Sequence, residues 1–116
     1  MVRSCRAPSS MPAPSSDRVF DALADPTRRR IVERLGQSPA TAGDLAADLP
    51  VSRQAVVKHL AVLEDASLAV GERDGRRVVY RLTPAPLMDA ARWMHDVGAA
   101  WDDRLEQLRV RLNRRR

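Results

Sequence analysis

The sequence predicts a mainly α-helical chain with one small β-hairpin, in the order ααααββα. Three observations predict it. Apolar residues recur at helical spacings of three and four up to Leu63. Two short β-prone runs then flank an Asp74-Gly75 turn signal, and a long apolar stripe returns at heptad-like spacing from Leu87 to Leu112. A length of 116 residues suits one domain and is too short for two ordinary ones.

Residues 1–16 are rich in Pro, Ser and Ala without periodic apolar positions, so a flexible tail is expected, with Met11 as an alternative start. Residues 17–113 form the expected domain, and 114–116 a basic end. Asp17 is a candidate N-cap for a first helix whose face is Val19, Phe20 and Leu23. Asp25-Pro26 starts a second helix over 26–35, burying Ile31 and Leu35 and stopping at Gly36. Thr41 and Asp44 resemble a capping box for a short third helix with Leu45, Ala46 and Leu49, which Pro50 ends. Ser52 caps a fourth helix reaching about Ala66, one-sided through Val56, Leu60 and Leu63. Strands are expected over 68–70 and 78–82.

The last helix would extend roughly 40 Å at about 1.5 Å per residue, farther than the preceding elements can cover. Its stripe of Leu87, Ala91, Met94, Gly98, Trp101, Leu105, Leu108 and Leu112 therefore needs a second chain. The economical solution is a homodimer through the terminal helices, with Phe20 joining the interface and Trp93 and Trp101 adding bulk that a monomer leaves exposed.

A short third helix, a Pro-Val-Ser turn filled by Val51 and a one-faced fourth helix form a helix-turn-helix, whose second helix enters the DNA major groove. Its outward positions carry suitable chemistry. Arg53 can pair bidentately with guanine, Gln54 can pair with adenine, Val57 can meet a thymine methyl, and Ser52 and Lys58 can hold phosphates. His59 sits at the border of this face. Taken alone, such a helix is an ordinary solvated surface; the hairpin that follows, with Arg73, Arg76 and Arg77, adds a wing suited to the sugar-phosphate backbone. An excess of 20 Lys and Arg over 15 Asp and Glu, a net charge of +5, agrees with a double-stranded DNA partner.

A single cysteine, Cys5, excludes an internal disulfide and suits the reducing cytoplasm, while no apolar run reaches signal-peptide or membrane-spanning form. Enzyme chemistry finds no constellation: His59 and His95 lie on different helices, and Gly71 and Gly75 make no phosphate-binding loop.

From Val19 to Leu112 the chain resembles the ArsR-type winged-helix repressors. The matching stretches are F-D-A-L-A-D-P-T-R-R-R-I at 20–31, V-S-R-Q-A-V-V-K-H-L-A-V-L at 51–63 and G-E-R-D-G-R-R-V-V-Y-R-L at 71–82. The resemblance implies a homodimer that represses from a partly palindromic operator. Metal-sensing members carry a cysteine pair where Thr41 and Gly43 stand here. Others use histidines and carboxylates on the last helix, which offers only His95 among Asp89, Asp96, Asp102, Asp103 and Glu106. The chain therefore resembles a metal-free branch, in which W-D-D-R-L-E-Q-L at 101–108 serves dimerisation; no metal and no cofactor are expected, Cys5 lacks a resolving partner for redox sensing, and the inducer is unknown. Two alternatives stay open: an interaction module that has lost DNA binding, and a metal-responsive repressor with an unrecognised site.

Overall fold

A computed structural model, which describes residues 14–114, carries five helices and a small three-stranded sheet. The elements are α1 (Pro14–Leu23), α2 (Pro26–Gln37), β1 (Ala40–Thr41), α3 (Ala42–Asp48), α4 (Arg53–Asp65), β2 (Ala69–Asp74), β3 (Arg77–Leu82) and α5 (Pro84–Arg114). The order ααααββα holds apart from β1, a two-residue strand too short to leave any periodicity in the sequence.

Helix α1 begins at Pro14, so Asp17 is not its N-cap but lies in its first turn, where a carboxylate favours the helix dipole. Residues 14–16, expected in the tail, belong to α1, in which Ser16 is buried. Met11 and Cys5 lie outside the described residues. The other end of α1 is closed by side chains from the next helix. Arg28 donates from Nε to Ala22 O at 2.6 Å and from Nη2 to Asp21 O at 3.3 Å, while Arg29 Nη1 reaches Leu23 O at 2.7 Å and Ala24 O at 3.3 Å. Two guanidinium groups thus satisfy carbonyls that a helix C-terminus leaves without intrahelical partners, and their charge opposes the dipole there.

Asp25 caps α2, its Oδ1 accepting from Thr27 N at 2.7 Å and Arg28 N at 3.2 Å. These bonds, that from Arg28 foremost, hold its carboxyl below the ordinary aspartate range. Gly36 does not end α2. The helix runs on to Gln37 and stops at an extended Ser38, whose carbonyl and hydroxyl both accept from Arg34 Nη1 at 3.0 Å. Helix α3 has the expected capping box: Thr41 Oγ1 accepts from Asp44 N, and Asp44 Oδ2 accepts from Thr41 N, each at 3.1 Å.

The core gathers where these helices meet. Ile31 and Leu35 of α2, Leu45 of α3, Val56, Leu60 and Leu63 of α4, and Leu68 are all buried, with Val19 of α1 beneath them. At about 25 cal/mol per Å² of apolar area, each such side chain contributes roughly 1.5–3 kcal/mol. Helix α4 ends at Ala66 in a Schellman arrangement: Ser67 N donates to Glu64 O and Leu68 N to Leu63 O, both at 2.9 Å. Ser67 occupies the left-handed position at φ 60°, where glycine is usual.

The sheet order is β1-β3-β2, entirely antiparallel, with Ala40 opposite Tyr80 and Asp74 opposite Arg77. Strand β2 begins at Ala69, leaving Leu68 in the turn that ends α4, and both strands reach farther toward the tip than the expected 68–70 and 78–82, because the charged wing residues Glu72 and Arg73 continue the ladder. The two-residue loop is Gly75-Arg76, one position later than Asp74-Gly75 suggests. Gly75 at φ 66° supplies the positive φ that a primed hairpin turn demands at its first central residue.

Helix α5 starts at Pro84, three residues before Leu87, since proline is tolerated in a first helical turn. Its early part packs inside the chain: Leu87 lies against the core, Ala90 is buried, and the Trp93 ring stands 5.7 Å from Phe20 at an interplanar angle of 60°. Trp93 is thus not bulk left bare by a monomer but part of the α1–α5 seam. Farther along, Met94, Trp101, Leu105, Leu108 and Leu112 stand exposed on the helix.

Candidate nucleic-acid interface

Ser52 fixes the start of α4: its Oγ accepts from Ala55 N at 3.1 Å, leaving the hydroxyl proton free to meet an anion. Since Val56, Leu60 and Leu63 are fully buried, a period of 3.6 turns Gln54, Val57 and Lys58 to solvent, while Arg53, the first residue of the helix, stands ahead of the buried stripe; all four are exposed. Val57 is 47% exposed, a large value for a branched apolar side chain without a covering element.

The structure brings the helix and the wing together. Arg53 and Val57 of α4 share one open groove with Arg76, Arg77, Val78 and Tyr80 of the hairpin, and the start of α3 closes its end through Thr41 and Gly43. Cations rim this groove on both sides. Arg77 is tied to Asp74 by an exposed pair at 3.5 Å, whereas Arg53, Lys58, Arg73 and Arg76 make no ion pair among the described residues. Exposed guanidinium groups without carboxylate partners can meet phosphates with little to break first. Within the groove, burial raises the Tyr80 hydroxyl pKa and nearby Glu64 adds to the shift. The Thr41 backbone and hydroxyl bonds lower that of Asp44, with a smaller contribution from Arg77.

His59 departs from the expected DNA face. It is half-buried, and its Nδ1 lies 3.4 Å from Arg28 Nη1, toward α2. One hundred degrees per residue sets position 59 between the outward sector and the buried face, on the side toward α2. Arg28 and Arg29, which sequence reasoning missed, act on α1 carbonyls. Arginines in a second helix look like solvated residues until the preceding helix end is placed beside them.

The residues offered for dimerisation divide. Phe20 and Leu87 pack within their own chain, whereas Ala91, Met94, Trp101, Leu105 and Leu108 are exposed. Arg104 lies over the Trp101 ring, its guanidinium carbon 5.6 Å from the centroid. His95 is exposed on α5, and among the described residues no three His, Cys, Asp or Glu side chains gather as a metal site.

A helix-turn-helix with a basic two-stranded wing defines a winged-helix DNA-binding protein. Residues 23–72 match the helix-turn-helix domain family. Over 73 residues, 63% of this chain and 68% of the relative, the sequence is 55% identical to the HTH-type transcriptional regulator Rv2034 of Mycobacterium tuberculosis. It is 37% identical over 76 residues to the transcriptional repressor SdpR of Bacillus subtilis, covering 66% and 84% of the two chains. The fold is similar to an ArsR-like transcriptional regulator from Rhodococcus sp. RHA1, with a TM-score of 0.74, 41% identity, and coverage of 82% and 87%. The chain belongs to the ArsR family of winged helix-turn-helix transcriptional regulators.

Proposed function

We propose that this chain is a homodimeric repressor that reads a partly palindromic operator. The groove shared by α4 and the wing carries the reading, because it sets base-reading side chains beside backbone-holding ones. Arg53 and Val57 in this groove, with Gln54 beside them on α4, meet base edges; Arg76 and Arg77 on its wing side, with Ser52, Lys58 and Arg73 outside it, hold phosphates. The similarity to the repressor SdpR favours repression. The exposed stripe of α5 supports pairing of two chains, which places two reading helices on half-sites about one or more helical turns apart. The role is binding rather than catalysis, with no metal or cofactor, in the cytoplasm. Among the described residues, no helix is long and apolar enough to cross a membrane.

Anisotropy titrations against DNA from upstream of the coding region test this. Arg53→Ala with Gln54→Ala should remove sequence preference while leaving salt-dependent binding. Arg76→Ala with Arg77→Ala should weaken all sequences alike and lower the salt slope by about two. Preference that survives the first pair overturns the assignment of α4.

A further inference from the structure

Arg28 does more than close α1. Its side chain is only 18% exposed, and its fork is divided among three elements. Nε and Nη2 serve the α1 carbonyls of Ala22 and Asp21; Nη1 faces His59 Nδ1 on α4 at 3.4 Å and stands 4.0 Å from Oδ2 of Asp25, the α2 cap. A guanidinium can only donate, so in this contact His59 Nδ1 is the acceptor. We infer that Arg28 is a positioning residue, which fixes the DNA-reading helix to α1 through His59 and makes the α1–α5 seam and that helix move as one.

Two further observations carry the inference. Arg18 Nη1, one turn earlier on α1, reaches Asp65 O at the far end of α4 at 3.5 Å, so α1 grips the reading helix at a second point. Phe20, the α1 residue stacked on Trp93 of α5, immediately precedes Asp21, whose carbonyl Arg28 holds. A shift of α5 therefore has a path to α4 from Trp93 through Phe20 and Asp21 to Arg28 and His59. The groups beside this contact are Arg28 and Asp25 from α2, with Arg18 and Asp21 from α1 and Asp65 of α4 lining the adjoining groove. Helix α3 and strand β2 pack along the other flank of α4, beside Arg53, Val57 and Glu64. The contact thus stands clear of the base-reading side chains, and the inference rests on the DNA-binding reading only for its readout.

The test is a double-mutant cycle on operator affinity, with thermal midpoints followed in parallel. His59→Asn keeps an acceptor near the Nδ1 position, and His59→Leu removes it. The Leu variant should bind operator about tenfold more weakly than the Asn variant, as expected for one lost hydrogen bond to a charged group, at matched thermal midpoints. In an Arg28→Leu background the two should bind alike. If that background does not fold, Arg28→Lys serves, because a single ammonium cannot span α1 and His59 together. Equal affinities of the Asn and Leu variants in the wild-type background, or a difference that persists without Arg28, overturns the inference. Wild-type chain that fails to bind any operator fragment overturns the DNA-binding reading instead.

Discussion

Helix α4 and the far half of α5 are both amphipathic, yet they use the apolar side in opposite ways. In α4, Val56, Leu60 and Leu63 are completely buried by the chain's own helices, so the polar side is the one offered outward. In α5 the face that is buried at Ala90, beside the expected stripe rather than on it, continues in phase into Trp101 and Leu105, which are 56% and 57% exposed. The stripe is continuous, but the chain runs out of surface to cover it. Apolar periodicity therefore states that a face will be covered and leaves open whether the cover comes from the same chain or another.

The contrast can be broken most forcefully inside α4. Leu60→Ala should lower unfolding free energy by about 2–5 kcal/mol in denaturant titrations, since a fully buried leucine leaves a cavity. Next in size, Trp101→Glu should leave the thermal fold intact and raise the dimer dissociation constant at least about tenfold by sedimentation, or roughly 1.4 kcal/mol. An unchanged dimer would remove the stripe from the interface. Ser67→Gly at the end of α4 should stabilise modestly, by about 0.5–1 kcal/mol in the same titrations, because glycine adopts φ 60° without the steric cost that the serine Cβ meets there. Acid should act on the winged body rather than on distal α5. Asp25 and Asp44 both have lowered pKa values, so their stabilisation is complete above the ordinary aspartate value near 3.9 and is lost as pH falls through the folded values. Denaturant midpoints should fall below about pH 4, less steeply in Asp44→Asn.

The winged body was largely legible because its signals are local. Thr41 and Ser52 cap the helices they were expected to cap, α2 starts at the expected Asp25-Pro26, and the inward spacing of α4 selects its core residues. What escaped needed partners distant in sequence. Strand β1 exists only because Ala40 and Thr41 lie beside Tyr80 and Val79, and Trp93 turns inward only because Phe20 is there to meet it. His59 and Arg28 escaped for the same reason: thirty-one positions separate them, and neither has a distinctive neighbour. The candidate DNA side chains of α4 and the wing were readable as residues, but their common groove was not.

Thr41 is the last residue of β1, paired with Val79 of the wing's inner strand, and also the N-cap of α3. One residue thus hinges the sheet to the helix-turn-helix. The wing is a lever braced at its root: a load on Arg76 at the tip passes along β3 into the start of α3, so bending of bound DNA would be felt by the helix pair without any contact to a base.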